Sequence, residues 1–181
     1  RSHQHNCLTI DGKSHSTKAN DMYESCRENA RYDKASGVFI TTLHWIPSAE
    51  VDHVRYCLYA PNEFFIVVDQ MSSIDEHQYS QWFQIGNSYK EYEQQPSSIL
   101  FETKDADDYF RMDFFCASKK PILNIFSANH DMPVGWVSKK YLTLEPNIAV
   151  EYNVKSKNIE LWAVSRFVPN LSIEQIISRV D

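Results

Sequence analysis

The chain has 181 residues, 43% of them apolar and 13% aromatic, and carries a formal net charge of -6. That composition excludes a disordered polymer and sets the overall field against nucleic acid and anionic membranes as partners. Only four glycines accompany ten tyrosines, ten phenylalanines and four tryptophans, a balance that favours strands over helices.

No window approaches the roughly 18 apolar residues of a membrane helix. The chain begins at Arg1 with neither an initiator Met nor a signal-like segment, so we expect Arg1 to be a boundary with further sequence before it. Cys7, Cys26, Cys57 and Cys116 show no CxxC spacing, which speaks against a zinc ribbon or a dithiol redox site and leaves the compartment open.

In chain order, Cys7 to Ile10 reads as a short strand closed by the turn pair Asp11-Gly12. Lys13 to Lys34 is polar and reads as a long loop with room for one short strand. Gly37 opens a strand from Val38 to Trp45 that stops near Pro47. Asp52 to Tyr59 alternates, with Val54, Tyr56 and Leu58 on one face and His53, Arg55, Cys57 and Tyr59 on the other. A turn at Ala60-Pro61-Asn62-Glu63 leads into Phe64 to Asp69, a short run rich in β-branched and aromatic residues that reads as a central strand. These three strands make an antiparallel meander. Beyond the turn formers Ser72, Ser73, Asp75 and Glu76, a second alternation puts Tyr79, Gln81, Phe83 and Ile85 on one face and Gln78, Ser80, Trp82 and Gln84 on the other. The Phe64 strand and this one are expected to pair as a hairpin.

Gly86 to Pro96 reads as a polar loop. Strands follow at Ser98 to Glu102, Tyr109 to Cys116, Ile122 to Phe126 and Val134 to Val137. A last pair, Ile148 to Val154 and Ile159 to Phe167, turns at Lys155-Ser156-Lys157-Asn158. About ten strands without intervening helices predict an all-β fold, one antiparallel β-sandwich domain over residues 1–181. The tail differs: Ser172-Ile173-Glu174-Gln175 fits a capping box, and Ile173, Ile176, Ile177 and Val180 share a helical stripe. A short C-terminal helix docked by its isoleucine face is expected.

Candidates for chemistry are few. His3 and His5 flank Gln4 and would share a face of an extended strand, half of a metal site at best. His44, His53, His77 and His130 are scattered and read as strand or turn residues. Trp82, on a Gln/Ser face, and Trp136, in a Gly-Trp-Val-Ser-Lys-Lys-Tyr cluster, are the candidate sugar platforms, and packing beneath another layer is the plainer role for Trp82. There is no nucleophile elbow, P-loop, H-E-x-x-H or dinucleotide fingerprint. Residue patterns alone stop at a β-sandwich.

Three stretches resemble the C-terminal β-sheet region of the heparinase II/III-like polysaccharide lyases. His5-Asn6-Cys7-Leu8-Thr9-Ile10-Asp11-Gly12 is similar to that family's His-Asn-Thr-Val-x-Val-Asp-Gly segment. Val67-Val68-Asp69, followed by Asp75-Glu76-His77-Gln78-Tyr79-Ser80-Gln81-Trp82-Phe83, resembles its hairpin. Gly135-Trp136-Val137-Ser138 with Tyr141, then Ala149-Val150-Glu151-Tyr152, resembles its late strand and the successor. The chain departs at Cys7, where the family often has Thr, and at Gln84, where it often has His.

The resemblance implies a two-part enzyme, a helical toroid followed by this sandwich, that cleaves acidic, uronic-acid-containing polysaccharide by β-elimination in the periplasm or outside the cell. It places the usual catalytic carriers before Arg1, so that this chain alone is expected to be inactive. It also implies that His5 is one ligand of a structural zinc in the intact parent, with no cofactor in the isolated chain. Two rival readings are a stand-alone carbohydrate-binding or structural module, working through Trp82 or Trp136, and a small cupin-like metalloenzyme using His3 and His5.

Overall fold

The computed structural model describes residues 4–13, 26–48, 51–104, 108–131, 134–141, 143–167 and 171–180. It is an antiparallel β-sandwich, as the strand-rich composition predicts. The larger layer has eight strands in the order β2-β3-β4-β5-β14-β9-β8-β7 and the smaller has four, β1-β6-β13-β10. In chain order these are β1 (Leu8–Ile10), β2 (Cys26–Asp33), β3 (Val38–Ser48), β4 (Val51–Ala60), β5 (Phe64–Ser73), β6 (His77–Gln84), β7 (Tyr89–Gln95), β8 (Ser98–Thr103), β9 (Tyr109–Phe115) and β10 (Ile122–Ser127). A small ribbon of β11 (Trp136–Val137) and β12 (Glu145–Pro146) precedes β13 (Ile148–Ser156) and β14 (Ile159–Arg166), and helix α1 (Ile173–Val180) ends the chain.

The β3-β4-β5 meander forms as expected, joined at Asn62 in the left-handed region (φ 61°). The expected hairpin does not. β5 pairs with β4 and β14 in the large sheet, whereas β6 pairs with β1 and β13 in the small one. The connection after Ser73 is therefore an arch that carries the chain from one layer to the other. The last strand pair is also an arch, since β13 lies in the small sheet and β14 in the large. The reason lies in the inward faces: β5 and β6 each carry apolar side chains that bury best against each other across the sandwich, not side by side within one sheet.

The two arches are tied together. Ser73 Oγ donates to the Lys157 carbonyl (2.7 Å) and lies 2.8 Å from the Tyr79 hydroxyl, while Ser72 Oγ and the Ser73 amide both donate to Asn158 Oδ1 at 3.0 and 3.3 Å.

Two further expectations change. The Gly86 to Pro96 loop contains edge strand β7, missed because its Lys, Glu and Gln residues suit an edge facing solvent rather than a half-buried strand. The polar stretch before Lys34 contains the whole of β2, the opposite edge; residues 14–25 lie outside the described residues.

The main core lies between the layers, with Val67, Met71, Tyr79, Phe83, Ile99, Phe101, Met112, Phe114, Val150, Leu161 and others buried. A second cluster on the outer face of the large sheet, Val38, Phe64, Ile66, Val68 and Val164, receives Ile176 from α1. The capping box forms: the Gln175 amide donates to Ser172 Oγ (3.1 Å) and the Ser172 amide to Gln175 Oε1 (2.8 Å). Arg179 holds the far end, donating to Glu63 and to the Ser36 carbonyl (2.9 Å) above the Phe64 ring. Only part of the isoleucine stripe docks as expected, because Ile177 is 44% exposed; the Val180 side chain lies outside the described residues.

That difference gives a test. Ile176→Ala should cost about 2–5 kcal/mol as a fully buried aliphatic truncation, and Ile177→Ala less than about 1 kcal/mol. Urea unfolding of the two variants side by side measures both.

Candidate functional site

At the centre of the molecule a charge is buried where the sequence shows only the end of an apolar run. Asp69, on the inward face of β5, is 0% exposed. β4 runs beside it, and its alternation brings His53 and Arg55 to the same face. Arg55 grips the carboxylate side-on, Nε to Oδ1 and Nη2 to Oδ2, both at 2.7 Å. His53 Nε2 lies 2.7 Å from Oδ1, and Gln81 Nε2 donates to Oδ2 at 2.9 Å from β6 in the other layer.

Burial by itself raises the Asp69 pKa; the Arg55 charge and the hydrogen bonds from Arg55 and His53 outweigh it and hold the carboxyl far below the usual carboxylate range. An ionised carboxylate only accepts, so the proton between it and His53 sits on Nε2.

Above this cluster runs the His5–Cys7 segment. Arg55 Nη1 donates to the Asn6 carbonyl (2.8 Å), the Gln84 amide donates to Asn6 Oδ1 (2.6 Å), the Trp82 amide to the Cys7 carbonyl and the Cys7 amide to the His5 carbonyl (2.8 and 2.9 Å). From there β1 pairs with β6 in register Leu8↔Gln81, Thr9↔Ser80, Ile10↔Tyr79. At the far end Asp11 receives the Gln78 amide (3.0 Å) and lies 2.8 Å from His77 Nδ1, contacts that hold its carboxyl below the ordinary value, the His77 hydrogen bond foremost. Cys7 is half-buried beside Arg55; burial pushes its thiol up to about 11 despite that neighbouring charge.

The third stretch closes the outer side of the small sheet. Trp82 is 3% exposed, donates from Nε1 to Thr9 Oγ1 (3.1 Å), and is covered by Val134, Ala149 and Phe126. A sugar ring cannot stack on it in this position. Gly135 is required where it stands: at φ +74° a Cβ would fall within 2.8 Å of the Ala128 nitrogen and 2.9 Å of Ser127 Cα. Trp136 is half-buried, donates to the Asn129 carbonyl (3.0 Å) and meets the His130 ring edge-on at 5.1 Å. Tyr141 is 91% exposed.

The three sequence stretches therefore converge on β6, flanked by β1 on one side and β13 on the other. His5 itself is exposed, and His3 lies outside the described residues. Among the described residues no three His, Cys, Asp or Glu side chains gather closely enough to hold a metal ion, so a zinc at His5 would need ligands from elsewhere. The His53–Arg55–Asp69–Gln81 cluster was not anticipated as a unit. Its signals were an acidic residue ending an apolar run, Gln81 among inward aromatics, and two basic residues on one face of β4.

The cluster predicts acid sensitivity. Because the folded-state pKa of Asp69 is depressed, its stabilisation is fully present above the unfolded carboxylate value near 4 and is lost as pH falls below it. Asp69→Asn should cost about 3–5 kcal/mol at pH 7, since Arg55 would lose its buried counter-charge. The cost should shrink as pH is lowered from 5 to 3. Urea titrations of both proteins across that range measure it.

No family model matches the chain, and no curated protein matches it in sequence. Solved structures match its fold. A heparinase III gene product superposes with a TM-score of 0.69 at 16% identity over 90% of this chain and 24% of its own. The heparan sulfate lyase HepC from Pedobacter heparinus gives 0.69 at 16%, over 92% of this chain and 24% of its own, and a further heparinase III gives 0.67 at 14%, over 90% and 23%. The chain thus spans about a quarter of the length of the proteins it matches. The resemblance read from the three stretches holds at the level of architecture: this chain has the fold of the C-terminal β-sandwich domain of the heparinase III and heparan sulfate lyases.

Proposed function

We propose that the chain is the C-terminal β-sandwich of a lyase that cleaves uronic-acid-containing polysaccharide by β-elimination, and that it is inactive by itself. The observation that carries this reading is the fold shared across 90% of the chain with heparinase III and heparan sulfate lyase structures. The convergence of all three resembling stretches on β6 supports it.

In such a reaction a base removes the proton on the carbon next to the uronate carboxylate. A positive or hydrogen-bonding group neutralises that carboxylate as charge builds, the C–O bond breaks as the new double bond forms, and an acid protonates the departing oxygen. The buried candidates here are committed to the fold: His53 to Asp69, His77 to Asp11, Tyr79 to Ser73. We assign the reacting groups to an N-terminal helical toroid and the acidic polysaccharide to the cleft that toroid forms. In the intact enzyme, working in the periplasm or outside the cell, exposed His5 is one ligand of a structural zinc whose other ligands lie outside the described residues; a single imidazole cannot hold the ion in the isolated chain.

The test compares the 181-residue chain with its full-length parent, following ultraviolet absorbance of unsaturated product from heparan sulfate and alginate beside metal analysis. The parent should form product and the chain should not. His5→Ala in the parent should lose bound metal and thermal stability with a smaller effect on the chemical step. Product formation by the chain alone would overturn the assignment of catalysis to the toroid. Retention of the isolated chain on a uronic-acid polymer, abolished by Trp136→Ala, would favour a carbohydrate-binding module instead.

A further inference from the structure

The guanidinium of Arg55 is shared between two jobs. Its Nε and Nη2 edge is spent on the buried Asp69 carboxylate, and this orientation leaves Nη1 pointing at the Asn6 carbonyl, 2.8 Å away. A lysine could neutralise Asp69 but could not present three donors in one plane.

The segment that Arg55 touches runs from His5 to Cys7. It is not paired as a strand until Leu8, and residues 4–6 are exposed. The Gln84 amide on Asn6 Oδ1 and the Trp82 amide on the Cys7 carbonyl, both from β6, hold it as well. Arg55 comes from β4 in the other layer. The backbone of His5–Cys7 is thereby held from both sheets at once, and Asp69, also bound by Gln81 of β6, fixes the guanidinium that reaches it. The fork is itself held in place by the bidentate ion pair, so little freedom is left to lose when it binds the carbonyl.

We propose that Arg55 is the positioning residue of the His5–Cys7 segment: anchored on the buried Asp69 charge, it sets the backbone from which the exposed His5 projects. Arg55 acts on no reacting atom. Its contribution is to present His5 in one geometry, and the value of that geometry to an enzyme rests on the lyase reading above.

Two measurements on the 181-residue chain decide the proposal, and one on the parent tests the reading it rests on. By nuclear magnetic resonance, the Arg55 Nη1 and Nη2 signals of the unaltered chain should be resolved separately, as expected of a guanidinium whose rotation is stopped, with a coupling from Nη1 across the hydrogen bond to the Asn6 carbonyl. A freely rotating Arg55 side chain would overturn the proposal, and this measurement needs no variant that folds. In Arg55→Lys, amide hydrogen exchange at Cys7, Trp82 and Gln84 should rise at least tenfold, while amides of the central strand β13, such as Val150, stay protected. Unchanged exchange at those three amides in a folded Arg55→Lys chain would also overturn it.

In the full-length parent, Arg55→Lys should weaken zinc binding at least tenfold and lower thermal stability, with a smaller effect on kcat, as for His5→Ala. A parent that forms no unsaturated product defeats the lyase reading and leaves the resonance and exchange results to decide the role of Arg55. An active parent whose zinc affinity is unmoved by Arg55→Lys removes the link between the segment's geometry and the metal site.

Discussion

One carboxylate constrains this sandwich more than any apolar contact does. Asp69 accepts four hydrogen bonds, from two residues of β4 and, across the core, from Gln81 of β6. An ionised group in such a place is strongly unfavourable unless every partner arrives together. The cost therefore falls on any alignment of the two sheets in which the partners miss. A slip of one residue in β4 or β6 would turn His53 and Arg55, or Gln81, to the opposite face. Apolar burial brings the layers together without direction; the Asp69 cluster distinguishes one offset between them from its neighbours.

Much of the fold was legible because the physics behind it is local. The alternation in Asp52 to Tyr59 placed His53 and Arg55 on one face, the proline turn marked the β4-β5 reversal, and the capping box located α1 to the residue. What sequence could not settle was which strands neighbour one another. The turn formers around Ser73 to Glu76 announce a reversal of direction, and a reversal within one sheet and a passage between sheets begin with the same residues. Edge strands were hard for the opposite reason. β7 is polar because one of its edges meets water, and polarity is also the mark of a loop.

The site shows the same division. Gln81 could be placed on the inward face of its strand from alternation alone, and a buried amide implies a buried partner. Asp69 lies twelve residues away across a change of layer, so no spacing rule connects them. Packing beneath another layer is the plainer reading of Trp82 from its sequence, and the structure buries it under Val134, Ala149 and Phe126 with its indole N–H on Thr9 Oγ1. The resembling stretches look like functional signatures when read as text. In three dimensions the best-placed residues among them, Asp11, Asp69, Trp82 and Gly135, join strands, layers and turns.

The two arches also bear on how the chain reaches this structure. β6 does not pair with β5, its neighbour in sequence, but with β1 and with β13, whose register joins Gln81 to Tyr152. β5 likewise finds β14 through Ile66↔Val164. Each of these pairings closes a loop of dozens of residues before any return on the entropy spent. Among the described strands, the β2-β3-β4-β5 run, the β7-β8-β9 run and the small β11-β12 ribbon assemble locally. A chain wired in this way should collapse into two hairpin-built fragments quickly and wait for β13 and β14, which come after all of those strands in the chain. Until then the inward faces of both fragments stand open to solvent, so slow folding is the expected kinetic counterpart of a sandwich whose layers are laced by arches.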